Sequence, residues 1–370
     1  MAGRVTSDMD VGRTDVGRYD DSAMTTQKET GGQYVYVTPV AGVELAVSVK
    51  GEYRIDRVVL LTTKRFLATR RFAFVYKKWR ESASKSDVCR NQSVVATVLV
   101  HGHPDMIRRQ GHNVIKDELN ILSCARLGFH NRKYKGVVGI AGCMDSYDTE
   151  ELLLGRNVDT MQTSSRIHTT ERLRINSEFK DVAEKFMHYR RLLDIIRGKG
   201  TMDENWRMVI RNAAILAGRS QNSVELADAF LWNMIALEQL LLSADEHRKH
   251  LDLLKERCAA LFGHSGLWTS RNIDKWIDQI YSTRCRVVHD GNRRCVTLEH
   301  LLLSDVILAN VLRNIAVNSR FFPSKQALKQ FTDKTNARVT LGFEPRPSNW
   351  KWTFGTLNYT QKDLAEYWPL

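Results

Sequence analysis

Short segments of the chain between residues 34 and 150 alternate between hydrophobic and polar residues or run apolar throughout, as buried strands do. These segments are 34–37, 43–49, 58–61, 94–100 and 137–140. Between them, Ile115, Leu119 and Leu122 repeat at helical spacing before Gly128, which predicts one helix. The pattern therefore predicts an α+β domain over residues 34–150.

The hydrophobic period changes to about 3.6 residues in the second half of the chain, which is typical of amphipathic helices. We expect helices over about 176–197, 204–216, 222–241, 243–261, 270–291 and 297–315. Gly218 is expected to end the second helix, and Asn222 with Glu225 has the spacing of a capping box for the third. Short connections between such helices imply antiparallel neighbours and hence an up-and-down bundle.

The remaining boundaries follow from changes in composition. Residues 1–33 are polar and Gly-rich, which predicts a disordered tail. Residues 151–204 are interpreted as a helical connector, 205–320 as the helical bundle, and 321–370 as a C-terminal extension packed on a domain. Trp350, Trp352 and Trp368 in that extension argue against disorder there.

Composition excludes several classes of protein and raises one class of partner. Hydrophobic residues at 43% and charged residues at 26% exclude a collagen, a wholly disordered chain and a disulfide miniprotein. The balance of 55 Lys+Arg against 42 Asp+Glu gives a net charge of +13, which favours polyanionic partners such as nucleic acid.

Targeting signals and cysteine spacing bear on location. No apolar run resembles a signal peptide or approaches the ~20 residues needed to span a bilayer. The six cysteines form no C-x-x-C pair, and we expect reduced thiols. A cytoplasmic protein without a membrane partner is predicted.

The strongest candidate chemistry lies near the end of the predicted helix 270–291. Arg284 continues the apolar face of that helix, and His289 lies about 140° away around the last turn. An arginine on an apolar face needs an anionic partner, because burying it alone is costly. One interpretation is that Glu238 is this partner and the pair is structural. In the other, Arg284 and His289 meet a phosphate, with His289 moving protons and Arg284 stabilising negative charge.

These residues resemble a known family. The string Tyr281-x-x-Arg284-x-x-x-Val288-His289-Asp290-Gly291 is similar to the R-x(4–6)-H motif of HEPN superfamily ribonucleases, and in particular to the Apea-like HEPN branch. The upstream Ala236-Leu237-Glu238-x-Leu240-Leu241 is similar to the first bundle helix of that branch. The resemblance covers about residues 205–320. One departure is Cys285, which follows the motif arginine where many active members have a polar residue.

The resemblance implies an all-α HEPN bundle and an endoribonuclease (a hydrolase) that needs no metal and no cofactor. RNA supplies its own nucleophile in the 2′-OH. Arg284 and His289 would be catalytic, with Glu238, Tyr281 and Asp290 supporting them. The family further implies a homodimer with its site at the two-fold interface, because two copies can place both pairs around one phosphate.

The wider role implied by the resemblance is regulated cleavage of cellular RNA such as tRNA by a toxin or an antiviral defence effector. A trigger or an antitoxin protein would then be a further partner, and the α+β domain a candidate sensor. This role is an analogy at the level of the fold. The alternative is a non-catalytic HEPN module that binds nucleotides or RNA, or mediates an interaction.

A second candidate surface lies in the N-terminal half, where cations are interleaved with aromatic residues in a pattern suited to RNA. These RNA-binding candidates are Lys64, Arg65, Arg70, Arg71, Lys77, Lys78 and Arg80. The alternative is the buried aromatic face of a strand with solvated cations. His101, His103 and Asp105 could share one face of an extended segment, but no fourth ligand accompanies them, so we predict no metal.

Overall fold

The computed structural model describes residues 32–68, 93–102, 104–129, 132, 137–141, 149–154, 161–166, 172–243, 246–263, 269–351 and 353. The strands are β1 Gly32–Ala41, β2 Val43–Leu45, β3 Glu52–Arg54, β4 Val59–Thr62, β5 Val94–Gly102, β6 Gly139–Ile140, β7 Thr149–Leu154, β8 Met161–Arg166 and β9 Leu173–Ile175. The helices are α1 Thr63–Ala68, α2 Pro104–Cys124, α3 Ser177–Met187, α4 Tyr189–Ile196, α5 Glu204–Asn222, α6 Leu226–Leu241, α7 His250–Phe262, α8 Ser270–Asp290, α9 Leu298–Val317 and α10 Lys325–Thr340.

An antiparallel sheet with the order β3-β4-β5-β1-β6 forms the N-terminal part. Its central strand β5 is apolar on both faces, because successive residues of a strand point to opposite sides. Val94 and Val98 join the main core, whereas Val95 packs with Leu61 and Phe66. The expected α+β character of this part is confirmed. The part of the chain that follows it is mainly helical, as expected.

Several segments differ from the sequence prediction. Helix α7 begins at His250 rather than near residue 243, and residues 325–340 of the C-terminal extension form α10, which was not predicted. The stretch 151–204, interpreted as a helical connector, begins with strands: β7 pairs antiparallel with β8, and β9 pairs parallel with β2. The helix expected over 176–197 is two helices, because His188 has a left-handed backbone (φ 47°) and separates α3 from α4. Hydrophobic periodicity continues across this break and therefore does not reveal it.

The prediction that Gly218 ends a helix is wrong, and so is the predicted capping box at Asn222. Helix α5 continues through Gly218 to Asn222, and Glu225 caps α6 without a side-chain hydrogen bond. A Cβ at residue 218 would lie 1.8 Å from the backbone oxygen of Asn120. The glycine is needed because α5 packs closely on α2, not because the chain turns there.

Helix α9 is the central core helix. Thr297 caps it in a capping box with His300, at the predicted start. Among the described helices, α9 alone is long and apolar enough to cross a membrane, but the relevant window is entirely buried inside the protein. Sheet and helices share one hydrophobic cluster, which includes Val40, Leu308 and Trp350.

A buried ion pair ties residue 132 to this core. Arg132 donates from Nε to Asp305 Oδ2 at 2.7 Å and from Nη2 to Asp305 Oδ1 at 2.6 Å. Its Nη1 also donates to the backbone oxygen of Ser220 at 2.7 Å, and Asn233 Nδ2 donates to Asp305 Oδ1 at 2.6 Å. These hydrogen bonds offset the desolvation of two buried charges and connect α5, α6 and α9.

Candidate active site

Helix α8 carries the motif residues, and its sequence explains both ends. The Thr269 side chain accepts a hydrogen bond from the backbone N–H three residues later at 3.3 Å, which caps the first turn. Ile273, Ile277 and Ile280 are buried against the core. Gly291 ends the helix with φ 65°, a left-handed conformation that costs glycine little. The predicted bounds and apolar face of this helix are confirmed.

Arg284 forms the expected ion pair with Glu238 of the neighbouring helix α6. Arg284 Nε lies 2.9 Å from Glu238 Oε1, and Nη2 donates to Oε2 at 3.0 Å. The two side chains are 22% and 20% exposed, so the pair lies at the edge of the core. Only the Nη2 contact has hydrogen-bond geometry, and the buried Oε1 atom makes no hydrogen bond within the described part of the chain. The ion pair and this one hydrogen bond together orient the guanidinium.

One edge of the guanidinium is left open by this pairing. Arg284 Nη1 makes no hydrogen bond with any residue in the described part of the chain. Tyr281, one turn earlier, is partly buried beside the pair, and burial raises the pKa of its phenol. Cys285 and Glu238 raise the same pKa further, while Arg284 lowers it. The phenol is therefore neutral and able to donate, next to a cation with a free edge.

His289 lies on the solvent side of the last turn. It is exposed, as are its neighbours Val288, at 50%, and Asp290. Within the described ranges, no side chain forms a hydrogen bond with the His289 ring. The imidazole is therefore accessible to an external ligand, whereas Arg284 and Glu238 lie deeper.

A contact that sequence reasoning missed fixes the end of α8 against α9. Thr283 is fully buried, donates to the backbone oxygen of Gln279 at 2.9 Å and lies 3.2 Å from His300 Nε2. His300 Nδ1 accepts from the Thr297 N–H at 3.1 Å, and burial lowers the pKa of this imidazole. A neutral His300 thus joins the cap of α9 to the turn that carries Arg284.

Additional cations, also missed, lie near His289 in the chain. Arg286 precedes it by three residues, Arg294 follows it by five, and both are exposed. Arg293 pairs with Asp228 of α6 at 2.8 Å, which ties the loop after α8 to the helix that carries Glu238. Their signal in the sequence was the run Arg293-Arg294 directly after the Gly291 stop. The exposed end of α8 is therefore a basic surface.

Two of the N-terminal RNA-binding candidates lie in the described part of the chain. Lys64 and Arg65 lie at the start of α1 and are exposed. Arg65 is engaged, because its Nη2 lies 2.7 Å from Glu52 Oε2. The remaining candidates lie outside the described residues: Arg70, Arg71, Lys77, Lys78 and Arg80.

The remaining candidate residues are the cysteines and the potential metal ligands. Cys124 and Cys258 are buried free thiols, and burial raises the pKa of Cys124 to about 12. In the part of the chain that the structure describes, no three His, Cys, Asp or Glu side chains are grouped to hold a metal ion. His101 is exposed at the end of β5, while His103 and the Asp105 side chain lie outside the described residues.

Comparison of the chain with protein-family models, with curated proteins and with solved structures gives no match.

Proposed function

We propose that the protein is a metal-independent endoribonuclease of the HEPN type, acting as a homodimer on cellular RNA such as tRNA. The observation that carries the proposal is Arg284, which Glu238 orients while Nη1 stays open, with an accessible His289 five residues later at the end of the same helix. In this proposal the protein is a toxin or antiviral effector in the cytoplasm, and a trigger or antitoxin protein regulates its activity.

The chemistry requires only an imidazole and a guanidinium. The 2′-oxygen attacks the adjacent phosphorus while His289 accepts its proton, and the bond from phosphorus to the 5′-oxygen breaks. The open edge of Arg284 stabilises charge on the non-bridging oxygens during transfer. A protonated imidazole returns a proton to the leaving 5′-oxygen. The products are a 2′,3′-cyclic phosphate and a 5′-hydroxyl.

Two protomers would supply the second imidazole. His289 and Val288 are exposed side by side, so an interface over this turn buries an apolar side chain beside the reacting groups. Arg286 and Arg294 would then extend the basic surface along the bound RNA. Light scattering across the concentrations used for cleavage tests this arrangement. Specific activity that is undiminished in a monomer contradicts the shared site.

The competing proposal is a non-catalytic binding module. It is favoured by the ion pair itself, because Glu238 already neutralises Arg284 and accepts a hydrogen bond from its Nη2, so that the pair can be purely structural. In that case His289 and the surrounding arginines bind RNA or a nucleotide without cutting it.

Cleavage-end sequencing of cellular RNA separates the two proposals. Cells expressing the wild type are compared with cells expressing His289→Ala, and with His250→Ala as a matched control at another exposed histidine. The nuclease proposal expects new 2′,3′-cyclic ends with the wild type and His250→Ala only. Identical end profiles for all three proteins would exclude the nuclease and favour the binding module.

A further inference from the structure

A cavity of about 420 Å³ lies where β3 meets α3 and α4, and none of its lining residues belongs to α6 or α8. Its volume falls within the range of about 300–1,000 Å³ typical of small-molecule sites. Tyr53, Phe179 and Tyr189 are among the lining residues. Tyr53 meets Phe179 edge to face, with ring centroids 6.3 Å apart. Phe179 and Tyr189 are each only 3% exposed, so the partly exposed ring of Tyr53 supplies the aromatic surface that a planar ligand could contact.

Cations at this cavity outnumber the carboxylates by four to two. One of them, Arg197, is structural, because its Nε donates to the backbone oxygen of Ile55 at 2.8 Å. The other three, Arg54, Lys180 and Arg190, are exposed, and no side chain in the described ranges pairs with them. Three cations at one cavity, without a partner in the part of the chain that the structure describes, favour an anionic ligand.

The two carboxylates have different surroundings. Glu184 Oε2 accepts from the Arg190 backbone N–H at 3.0 Å, so it is engaged in the turn between α3 and α4. Asp181 is exposed and has no partner among the described residues. A free carboxylate beside unpaired cations suits a ligand that carries hydroxyl donors as well as an anionic group.

The Tyr53 hydroxyl is a further free polar group. Burial raises the pKa of this phenol to about 12, although Arg197 lowers it, so the hydroxyl is protonated. It makes no hydrogen bond within the described part of the chain. The cavity therefore combines a partly exposed tyrosine that carries a neutral hydroxyl with a carboxylate and three cations that have no partner among the described residues.

We propose that this cavity binds a free nucleoside monophosphate. Arg54, Lys180 and Arg190 would hold the phosphate, Asp181 would accept from the ribose hydroxyls, and Tyr53 would contact the base. The site is separate from the proposed nuclease site and stands whether or not the protein cleaves RNA.

Calorimetry on the full chain carrying His289→Ala tests the proposal, because RNA probes survive in that background. The probes are the four nucleoside 5′-monophosphates, adenosine, inorganic phosphate and a 5′-phosphorylated trinucleotide. At least one monophosphate is expected to bind about tenfold or more tightly than adenosine or phosphate alone, since each of those lacks one half of the contacts.

Matched triple variants test which residues hold the phosphate. Arg54→Ala/Lys180→Ala/Arg190→Ala should weaken binding at least about tenfold. The control Arg57→Ala/Lys116→Ala/Lys334→Ala removes the same charge from exposed residues outside the cavity and should leave affinity unchanged. Tyr53→Phe removes only the hydroxyl and should cause a smaller loss.

Four results would overturn the assignment. They are no monophosphate binding at millimolar concentration, phosphate binding as tightly as the nucleotide, equal weakening by both triple variants, and tighter binding of the trinucleotide. The last would point to the 5′ terminus of an RNA chain as the occupant of the cavity. The nuclease proposal would survive each of them, because cleavage is assayed separately.

Discussion

Replacing either member of the Arg284 and Glu238 pair distinguishes a catalytic arginine from a structural one. Arg284→Ala removes the guanidinium, whereas Glu238→Gln leaves it in place with one amide oxygen as acceptor. If Arg284 acts on phosphate, the cleavage rate depends on the presence of the guanidinium and not on its ion pair with Glu238. The two variants should therefore have similar stability and very different rates.

The expected loss of stability follows from the partial exposure of the pair. Removing one partner of a fully buried ion pair costs about 3–5 kcal/mol. With the side chains 22% and 20% exposed, water replaces part of the lost contacts, and about 1–2 kcal/mol is expected for either variant. This corresponds to a few degrees in Tm, with cooperative unfolding and helical content unchanged.

The expected loss of rate is larger. Loss of a group that stabilises transition-state charge lowers the rate by about 10²–10³-fold, so Arg284→Ala should be nearly inactive. Glu238→Gln should retain most of the rate, because the guanidinium is only less firmly oriented. Arg284→Lys keeps the charge but not the fork, and should fall between the two.

Single-turnover cleavage and thermal unfolding, measured on the same preparations, provide the assay. Arg271→Ala, at an exposed arginine in the first turn of α8, is the matched control and should change neither quantity. Cleavage by Arg284→Ala at the wild-type rate would refute the catalytic role. Loss of its cooperative transition would show instead that the pair holds α6 to α8 and is structural.

Four further predictions concern the rest of the chain. Cleavage should persist in excess EDTA, and loss of activity on chelation that Mg²⁺ or Zn²⁺ restores would contradict the metal-independent mechanism. Charge reversal of Arg70, Arg71, Lys77 and Lys78 should reduce the salt dependence of RNA binding by nearly one unit of slope per lost phosphate contact, and an unchanged slope would exclude this surface. Gly218→Ala should lower the free energy of unfolding by about 1–3 kcal/mol, because its Cβ would meet the Asn120 oxygen, and an unchanged denaturation midpoint would contradict that packing. Although burial raises the pKa of Glu246, hydrogen bonds from Arg257 and the Ser243 N–H lower it from 4.5 to about 2. The contribution of Glu246 to the free energy of unfolding is therefore present above pH 4.5 and lost as the pH falls towards 2. Glu246→Gln should make the stability depend less on pH in this range, and an unaltered pH profile of unfolding would contradict the prediction.

The fold could be predicted from sequence where local pattern and tertiary structure agree. Helix α8 has an apolar stripe and ends at a glycine, and its predicted bounds agree with the observed helix Ser270–Asp290. Prediction fails where a signal has a second meaning. Gly218 was interpreted as the end of a helix because glycine is common there, but the residue lacks a side chain because α5 packs closely against α2. His188 is a break that no rule of composition marks, because residues other than glycine rarely adopt its left-handed backbone.

The candidate site could be predicted only as far as one physical requirement extends. An arginine on the apolar face of α8 requires an anionic partner, and Glu238 on the apolar helix α6 was predicted to be that partner. The structure confirms the ion pair between Arg284 and Glu238. The same requirement applies to Asp305, which is buried in the middle of α9, yet its partner Arg132 lies 173 residues earlier in a segment without periodicity. A demand for a partner can be derived from one helix, whereas the identity of that partner depends on which segments the fold brings together. Glu238 could be identified because α6 and α8 are neighbours in a bundle with short loops. The contact between Thr283 and His300 could not, because an uncharged threonine and a neutral histidine do not require an ionic partner when they are buried.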